Sequence, residues 1–246
     1  QVELKRKIKS AMTYPVAVLV LVLLIVTAML IFVVPTFQTL YADLGGTLPL
    51  PTRLLLMVSK FVTKFAPLIV IAEGAAVFAF RKWLASDSGR ARWDAFKLKM
   101  PIFGKLVHKT ALTRFARTFA VLLRSGVPIL EALEITSETV NNTVVAAAIK
   151  DTQTGVKRGE SAAARLKEHA IFPPMVVQML AVGEETGAVD TMLEKVAEFY
   201  DQEIEATVDA LTSLLEPLLI VVMGGAVGGM VVALYMPMFQ IINLVK

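Results

Sequence analysis

Two stretches of this chain share one pattern, and the duplication limits the folds open to it. Residues 14–38 read YPVAVLVLVLLIVTAMLIFVVPTFQ, and residues 216–240 read EPLLIVVMGGAVGGMVVALYMPMFQ. Each is an apolar run between two prolines, closed by Phe-Gln. Pro15 and Pro35 stand 20 residues apart, as do Pro217 and Pro237, and one shift of 202 residues superposes both pairs and carries Phe37-Gln38 onto Phe239-Gln240. The same shift aligns Glu3 with Glu205, in the charged stretch before each run. Self-similarity of this kind marks a repeated unit, here a charged helix-forming stretch leading into an apolar run.

Both runs are long enough to cross a bilayer. No charged residue lies between Lys9 and Asp43, or between Glu216 and Lys246, and a membrane helix needs about 20 apolar residues. The composition agrees: 56% of the residues are hydrophobic, against about 45–50% apolar in soluble domains, and the mean hydropathy is +0.66. A signal peptide is excluded by the length of the first run and by the lack of a small-residue cleavage site after it. Pro15 is expected in the first turn of its helix, where its missing N–H costs nothing. The second copy carries Gly224, Gly225, Gly228 and Gly229, two overlapping GxxxG patterns that predict close backbone packing against another helix.

A further span is expected over 54–80. Phe65 to Phe80 is a 16-residue apolar run interrupted by Glu73, and Leu54 to Val62 extends it, with Lys60 and Lys64 reaching back to the interface. Glu73 has two readings that stay open: an intramembrane polar contact inside a helix bundle, or a carboxylate near the interface of a tilted helix. Lys5, Arg6, Lys7 and Lys9 precede the first span; Arg81, Lys82, Arg90, Arg92, Lys97 and Lys99 follow the second. The positive-inside rule therefore places the N-terminus and residues 81–215 in the cytoplasm.

Residues 105–213 read as an antiparallel bundle of about six helices. Apolar stripes of period 3.6 run through Phe115, Phe119 and Leu122, through Ile129, Leu133, Thr136 and Val140, through Met175, Met179 and Val182, and through Val189, Met192, Leu193, Val196 and Phe199. Gly126 with Pro128, Asn141-Asn142, Gly159 with Ser161, Pro173-Pro174 and Gly187 punctuate them. The fold class is thus an all-α membrane protein of three transmembrane helices plus one cytoplasmic bundle. Its expected divisions are 1–13, the remnant of a first cytoplasmic helical domain; 14–36, the first span; 37–53, an external loop; 54–80, the second span; 81–104, a basic linker; 105–213, the bundle; 214–238, the third span; and 239–246, an external tail.

Little in the chain suggests catalysis. There is no cysteine, and His108 and His169 stand far apart, so no zinc-type ligand set is expected. MGGAVGGM lies in a membrane run and lacks the Lys-Ser/Thr ending of a phosphate loop. Catalytic and cofactor residues are therefore expected to be absent. Glu184 and Glu185, beside Gly187, form the best acidic pair and the weak candidate for a cation. Glu131, Glu134 and Glu138 recur near helical spacing, and with Glu184 and Glu185 they are the candidate partner-binding residues. Solvated surface is the plainer reading of each.

KIKSAMTYP followed by an apolar run ending VVP, then LLRSGVPILEALEITSETVNN and MLAVGEETGAVDTMLEKVAEFYDQEIE, resembles the bacterial PilC/GspF family of inner-membrane platform proteins, which serve type IV pili and type II secretion. The resemblance covers essentially the whole chain. It implies two cytoplasmic helical domains, each running into a span, which accounts for the duplication. QVELKRKIK aligns with the tail of such a domain, so most of the first is expected to be missing from these residues, either because they are a piece of a longer chain or because the protein is short. The resemblance further implies a non-enzymatic platform without cofactors in the bacterial inner membrane. Its implied partners are a hexameric secretion or pilus ATPase on the cytoplasmic side, pilin or pseudopilin subunits, other inner-membrane assembly proteins, and further copies of itself; nucleic acid is not among them. Two other classes compete with this reading. One is a small transporter or channel using Glu73 and the glycine-rich third span; the other is a membrane-face enzyme using Glu184 and Glu185 with a metal.

Overall fold

All regular structure among the described residues of this computed structural model (2–36, 39, 50–101 and 103–244) is helical. The elements are α1 (Val2–Ala28), continued by a π-helical turn (Met29–Val33), α2 (Leu50–Ala85), α3 (Asp87–Lys99), α4 (Phe103–Arg124), α5 (Ile129–Thr139), α6 (Thr143–Lys157), α7 (Ala162–Leu166), α8 (Pro174–Thr186) and α9 (Val189–Leu244). The chain forms two units: Gln1–Lys7 with Arg81–Leu211, and Ile8–Phe80 with Thr212–Lys246.

The first unit is built around the aromatic stripe of α4. Leu112, Phe115 and Phe119 are fully buried, and Phe115 meets Phe172 edge-on with ring centroids 5.1 Å apart. Leu133, Val145, Ile149, Leu166, Val176, Leu180, Leu193 and Val196 close the core around them. Helix ends fall where the local chemistry requires. The Asn142 side chain accepts the N–H groups of Val144 and Val145 at the start of α6, and Ser161 accepts that of Ala164 at the start of α7. Gly187 ends α8 in the left-handed region, at φ 72°.

The stripe on α8 sits one position away from its expected register, and that on α9 holds at Leu193 and Val196 and departs at its last member. On α8 the buried residues are Val176, Leu180 and Gly183; Met175 and Met179 are only half-buried and Val182 is exposed. On α9 the buried line continues from Val196 to Ala197, Tyr200 and Ile204, leaving Phe199 47% exposed. The stretch 81–104, expected to be a linker, contains α3 and belongs to this unit. Asp94 of α3 is buried, accepts the Thr143 N–H at 2.9 Å and pairs with Lys97 at 2.6 Å. That contact docks α3 on the first turn of α6.

In the second unit, α1 passes through Pro15, which therefore lies inside a helix and not in its first turn. Thr13–Thr36 and the part of α9 up to Ala233 are each long and apolar enough to cross a membrane; α2 joins them if its halves, Leu50–Leu68 and Val70–Ala85, count as one bent span. Their bend of 55° follows Pro67, which lacks a ladder N–H and crowds the preceding turn. Of the expected loop 37–53, residues 50–53 are helical and 37–49, apart from Thr39, lie outside the described residues; the expected tail is helical as far as Leu244.

The π-helical turn has a chemical explanation. Val34 N–H bonds to the Met29 carbonyl five residues back. In that register the next donor would serve Leu30, but the next residue is Pro35, which has none. The Ser59 hydroxyl donates to the Leu30 carbonyl instead, at 2.5 Å. An unserved carbonyl is expensive in lipid, so Ser59 fixes α2 against α1 at this level. Leu30, Val34, Leu56 and Met230 pack together beside it, and Thr52 donates to the Ala233 carbonyl at 2.6 Å.

Candidate functional site

Helix α5 presents Glu131, Glu134 and Glu138 on one face, since three- and four-residue steps return to the same side of a helix, and all three are exposed. Glu134 also takes a long contact from Gln153 Nε2 at 3.4 Å, while the same amide bonds to the Leu130 carbonyl at 2.8 Å.

Glu184 and Glu185 do different things. Glu185 is exposed. The Glu184 carboxylate accepts the Ser161 hydroxyl at 2.6 Å, the Ala162 N–H at 2.8 Å and the Ala163 N–H at 3.2 Å. It thus caps α7 from α8, placing negative charge where a helix N-terminus favours it. The sequence offered Glu184 as a candidate for a cation or a partner and did not show that it faces the start of another helix. Ser161, which caps α7 from within, was the available signal. Ser161 also lines an open groove of about 730 Å3 between α7 and α8, floored by Ala163, Phe172, Pro174, Val177 and Ala181.

Sequence reasoning also missed a charged seam between α4 and α9. Lys109 meets Glu203 at 2.8 Å and Thr207 at 3.0 Å, Arg117 pairs with Asp201, and Arg124 pairs with Glu194 and reaches Asp190 at 3.6 Å. The basic residues are eight and seven positions apart, two helical turns each, so they lie on one side of α4 and their partners descend α9 in antiparallel order. That spacing was readable in the sequence. Solvent-screened pairs of this kind contribute little stability, but they specify register.

Both histidines have structural partners. The His108 imidazole donates from Nε2 to the Ile171 carbonyl at 2.5 Å, and His169 Nε2 lies 2.8 Å from Asp151 Oδ2. Asp151 also accepts from Arg165, whose Nη2 is 3.1 Å from its Oδ1. The Arg165 bond, followed by that of His169, holds the Asp151 carboxyl below the usual range. Among the described residues no group of histidines and acids is arranged to hold a metal ion.

Glu73 is exposed within the run 71–80, which is exposed throughout. A Cβ built on Gly224, Gly225, Gly228 or Gly229 meets no atom of the described residues within 4 Å, its chain neighbours and its own helix backbone apart. Within one chain the helix contact at this level falls on Met230 and Ala233, one turn later. The structure thus brings none of Glu73, the glycines and the acids of α5 and α8 into one site; it leaves exposed carboxylates on helical surfaces and a glycine face that is open within the chain.

Residues 115–237 match the family model described as type II secretion system (T2SS), protein F. The chain is 40% identical over 244 residues to a type IV pilus assembly protein PilC of Myxococcus xanthus, covering 99% of this chain and 58% of that protein. It is 44% identical over 245 residues to the PilC of Thermus thermophilus, covering 99% and 60%. A type II secretion system protein F of Pseudomonas aeruginosa is 37% identical over 241 residues, covering 98% and 60%. The chain therefore spans about three-fifths of the length of these relatives.

Proposed function

The chain belongs to the type II secretion system protein F family, and from that membership we propose that it is a non-enzymatic platform in a bacterial inner membrane, on which pilin or pseudopilin subunits are assembled under the drive of a cytoplasmic ATPase. The observation that carries this reading is the near-complete alignment of the chain with proteins named for type IV pilus assembly and type II secretion. Three spans, 14–36, 54–80 and 214–238, hold it in the membrane with residues 81–213 in the cytoplasm, as the basic flanks require.

A platform that engages a motor through successive cycles needs a polar, releasable surface, because a large apolar interface would not let go. The exposed carboxylates Glu131, Glu134, Glu138 and Glu185 supply one, and Glu184 shapes its edge by capping α7. The glycine face of α9 is offered to a neighbouring helix, a second copy of the chain or another inner-membrane assembly protein.

The test is retention of the partner secretion ATPase by the full chain in nanodiscs, together with piliation or secretion in cells lacking the endogenous protein. Binding that weakens with salt, and restoration of assembly, are expected. Absence of both would remove the platform reading. Topology is tested separately: reporters fused after Lys99 and after Lys246 should lie inside and outside, and the reverse at both sites would overturn the three-span arrangement.

A further inference from the structure

Helix α3 carries a surface for which the platform role gives no use. The turn before it is tight. Ser86 caps α3 by accepting the Gly89 N–H at 3.2 Å and donates to the Trp83 carbonyl at 2.6 Å. A Cβ on Gly89 would lie 2.0 Å from that carbonyl. With Asp94 buried on Thr143 and Arg90 donating to Asn141 Oδ1 at 3.2 Å, the orientation of α3 on its unit is fixed. Its outward face is therefore fixed too: Arg92, Phe96 and Lys99, spaced i, i+4 and i+7, are all exposed, Phe96 by 55%.

The segment that carries this face is strongly cationic. Between Arg81 and Lys105 the sequence has seven basic residues and two acids, Asp87 and Asp94. Asp94 is consumed inside, by Lys97 and Thr143. Among the described residues Arg81, Lys82, Arg92, Lys99 and Lys105 form no ion pair within 4 Å, and all five are exposed. An aromatic ring between two cations suits the boundary of headgroups and acyl chains, where the ring enters the apolar edge and the long basic stems reach back to phosphate. The chain itself supplies the location, because Arg81 directly follows the exposed apolar run 71–80.

We infer that the Arg92–Phe96–Lys99 face of α3, with Arg81, Lys82 and Lys105, binds the headgroups of anionic phospholipids. This rests on the reading that residues 54–80 span the membrane. An acidic protein surface would match the charge but gives no reason for the exposed ring, or for the placement of the cations just after an apolar run.

Trp83 and Trp93 are the two tryptophans of the sequence, so tryptophan fluorescence, excited selectively over tyrosine, reports on this segment alone. The experiment places the full chain in bilayers of phosphatidylcholine mixed with either brominated phosphatidylglycerol or brominated phosphatidylcholine, and measures tryptophan quenching against mole fraction. Each basic side chain held near an anionic surface favours the anionic lipid by about five-fold. The brominated phosphatidylglycerol should therefore quench at a mole fraction at least about five-fold lower than its zwitterionic counterpart. In a variant combining Arg92→Gln, Lys99→Gln and Lys105→Gln, which leaves the span flank Arg81-Lys82 in place, that preference should fall by about five-fold or more.

Equal quenching by the two lipids in the wild type would overturn the inference and leave the span intact. An unchanged preference in the variant would remove this face as its source. Quenching by neither lipid would overturn both the inference and the placement of 54–80. A shift in emission on adding inorganic phosphate to pure phosphatidylcholine bilayers would replace the lipid by a soluble anion.

Discussion

Removing the Glu184 carboxylate separates its structural work from any part it plays in partner binding. In Glu184→Ala, the N–H groups of Ala162 and Ala163 and the Ser161 hydroxyl lose their acceptor. Both alanines are buried, at 0% and 3% exposure, so water restores those bonds poorly. Hydrogen bonds to a charged acceptor contribute about 1.5–3 kcal/mol each. Glu184 is itself half-exposed, and Ser161 still caps Ala164 at 3.2 Å, so the loss for the set is closer to about 2 kcal/mol. A helix of five residues has little else to hold its first turn. Amide hydrogen exchange of the full chain in detergent is the direct assay. Amides of residues 162–166 should exchange about 30-fold faster in the variant, the equivalent of about 2 kcal/mol in local opening. Glu185→Lys, at an exposed residue that takes no part in the cap, should leave the exchange pattern untouched while weakening ATPase binding at low salt. Wild-type protection of the α7 amides in Glu184→Ala would refute the cap as a stabilising contact.

Phe115→Ala, which empties a fully buried site beside Phe119 and Phe172, should cost about 3–5 kcal/mol in thermal unfolding of the full chain, whereas Phe199→Ala on the exposed side of α9 should cost under about 1 kcal/mol. Acid should destabilise the first unit. Burial alone would raise the Asp94 carboxyl, but the Lys97 bond and the Thr143 N–H outweigh it and leave it lowered; Asp151 is lowered by Arg165 and then His169. A depressed folded-state value means stability fully present above about pH 4 and lost as pH falls below it. A wild-type unfolding midpoint that drops below that pH, with a smaller drop in Asp151→Asn, is the expected result. Ser59→Ala leaves the Leu30 carbonyl unserved and should lower resistance to denaturing detergent by about 1–2 kcal/mol; unchanged resistance would mean that water or the backbone serves that carbonyl.

The elements were legible where a local signal decides them. Gly187, Asn142 and Ser161 end or start helices through their own backbone freedom or side-chain oxygen, and the structure puts the boundaries there. The register of α8 and α9 was less legible, because several apolar residues compete for one face. MVVQML offers two stripes of nearly equal hydrophobicity, and only burial in the cluster that also holds Phe172 and Leu193 selects Val176 and Leu180. AEFYDQ poses the same problem: period alone admits Phe199, but the core takes Tyr200. The stretch 81–104 was misread for a different reason. Its charge resembles solvated linker, and the interaction that folds it, Asp94 with the Thr143 N–H, joins residues 49 positions apart. The same distance effect hides Glu184, whose partners lie more than 20 residues upstream.

The duplicated prolines show how one sequence device is used differently in its two copies. Pro35 closes the first run, and the cost of its missing N–H is visible: a π-helical turn before it, and a Leu30 carbonyl handed to Ser59 on α2. In the other copy the glycines lie just before the level corresponding to that turn, which is Val231–Tyr235. A shift of 202 residues carries Val22–Thr27 onto Gly224–Gly229, so the segment that is bulky and β-branched in α1 is nearly bare in α9. Side chains such as Val22 and Val26 cannot enter a close backbone contact, whereas Gly224 and Gly228 can. Divergence at this level is what unequal neighbours would require. The first copy contacts α2 within the same chain through Leu30 and Val34, while a Cβ on the glycine face of the second would meet nothing among the described residues beyond its own helix within 4 Å. Gly228→Leu is therefore expected to leave the first unit folded and to change only what the chain associates with, which size distribution in mild detergent would measure. An unaltered distribution, with normal assembly in cells, would mean that this face is turned to lipid.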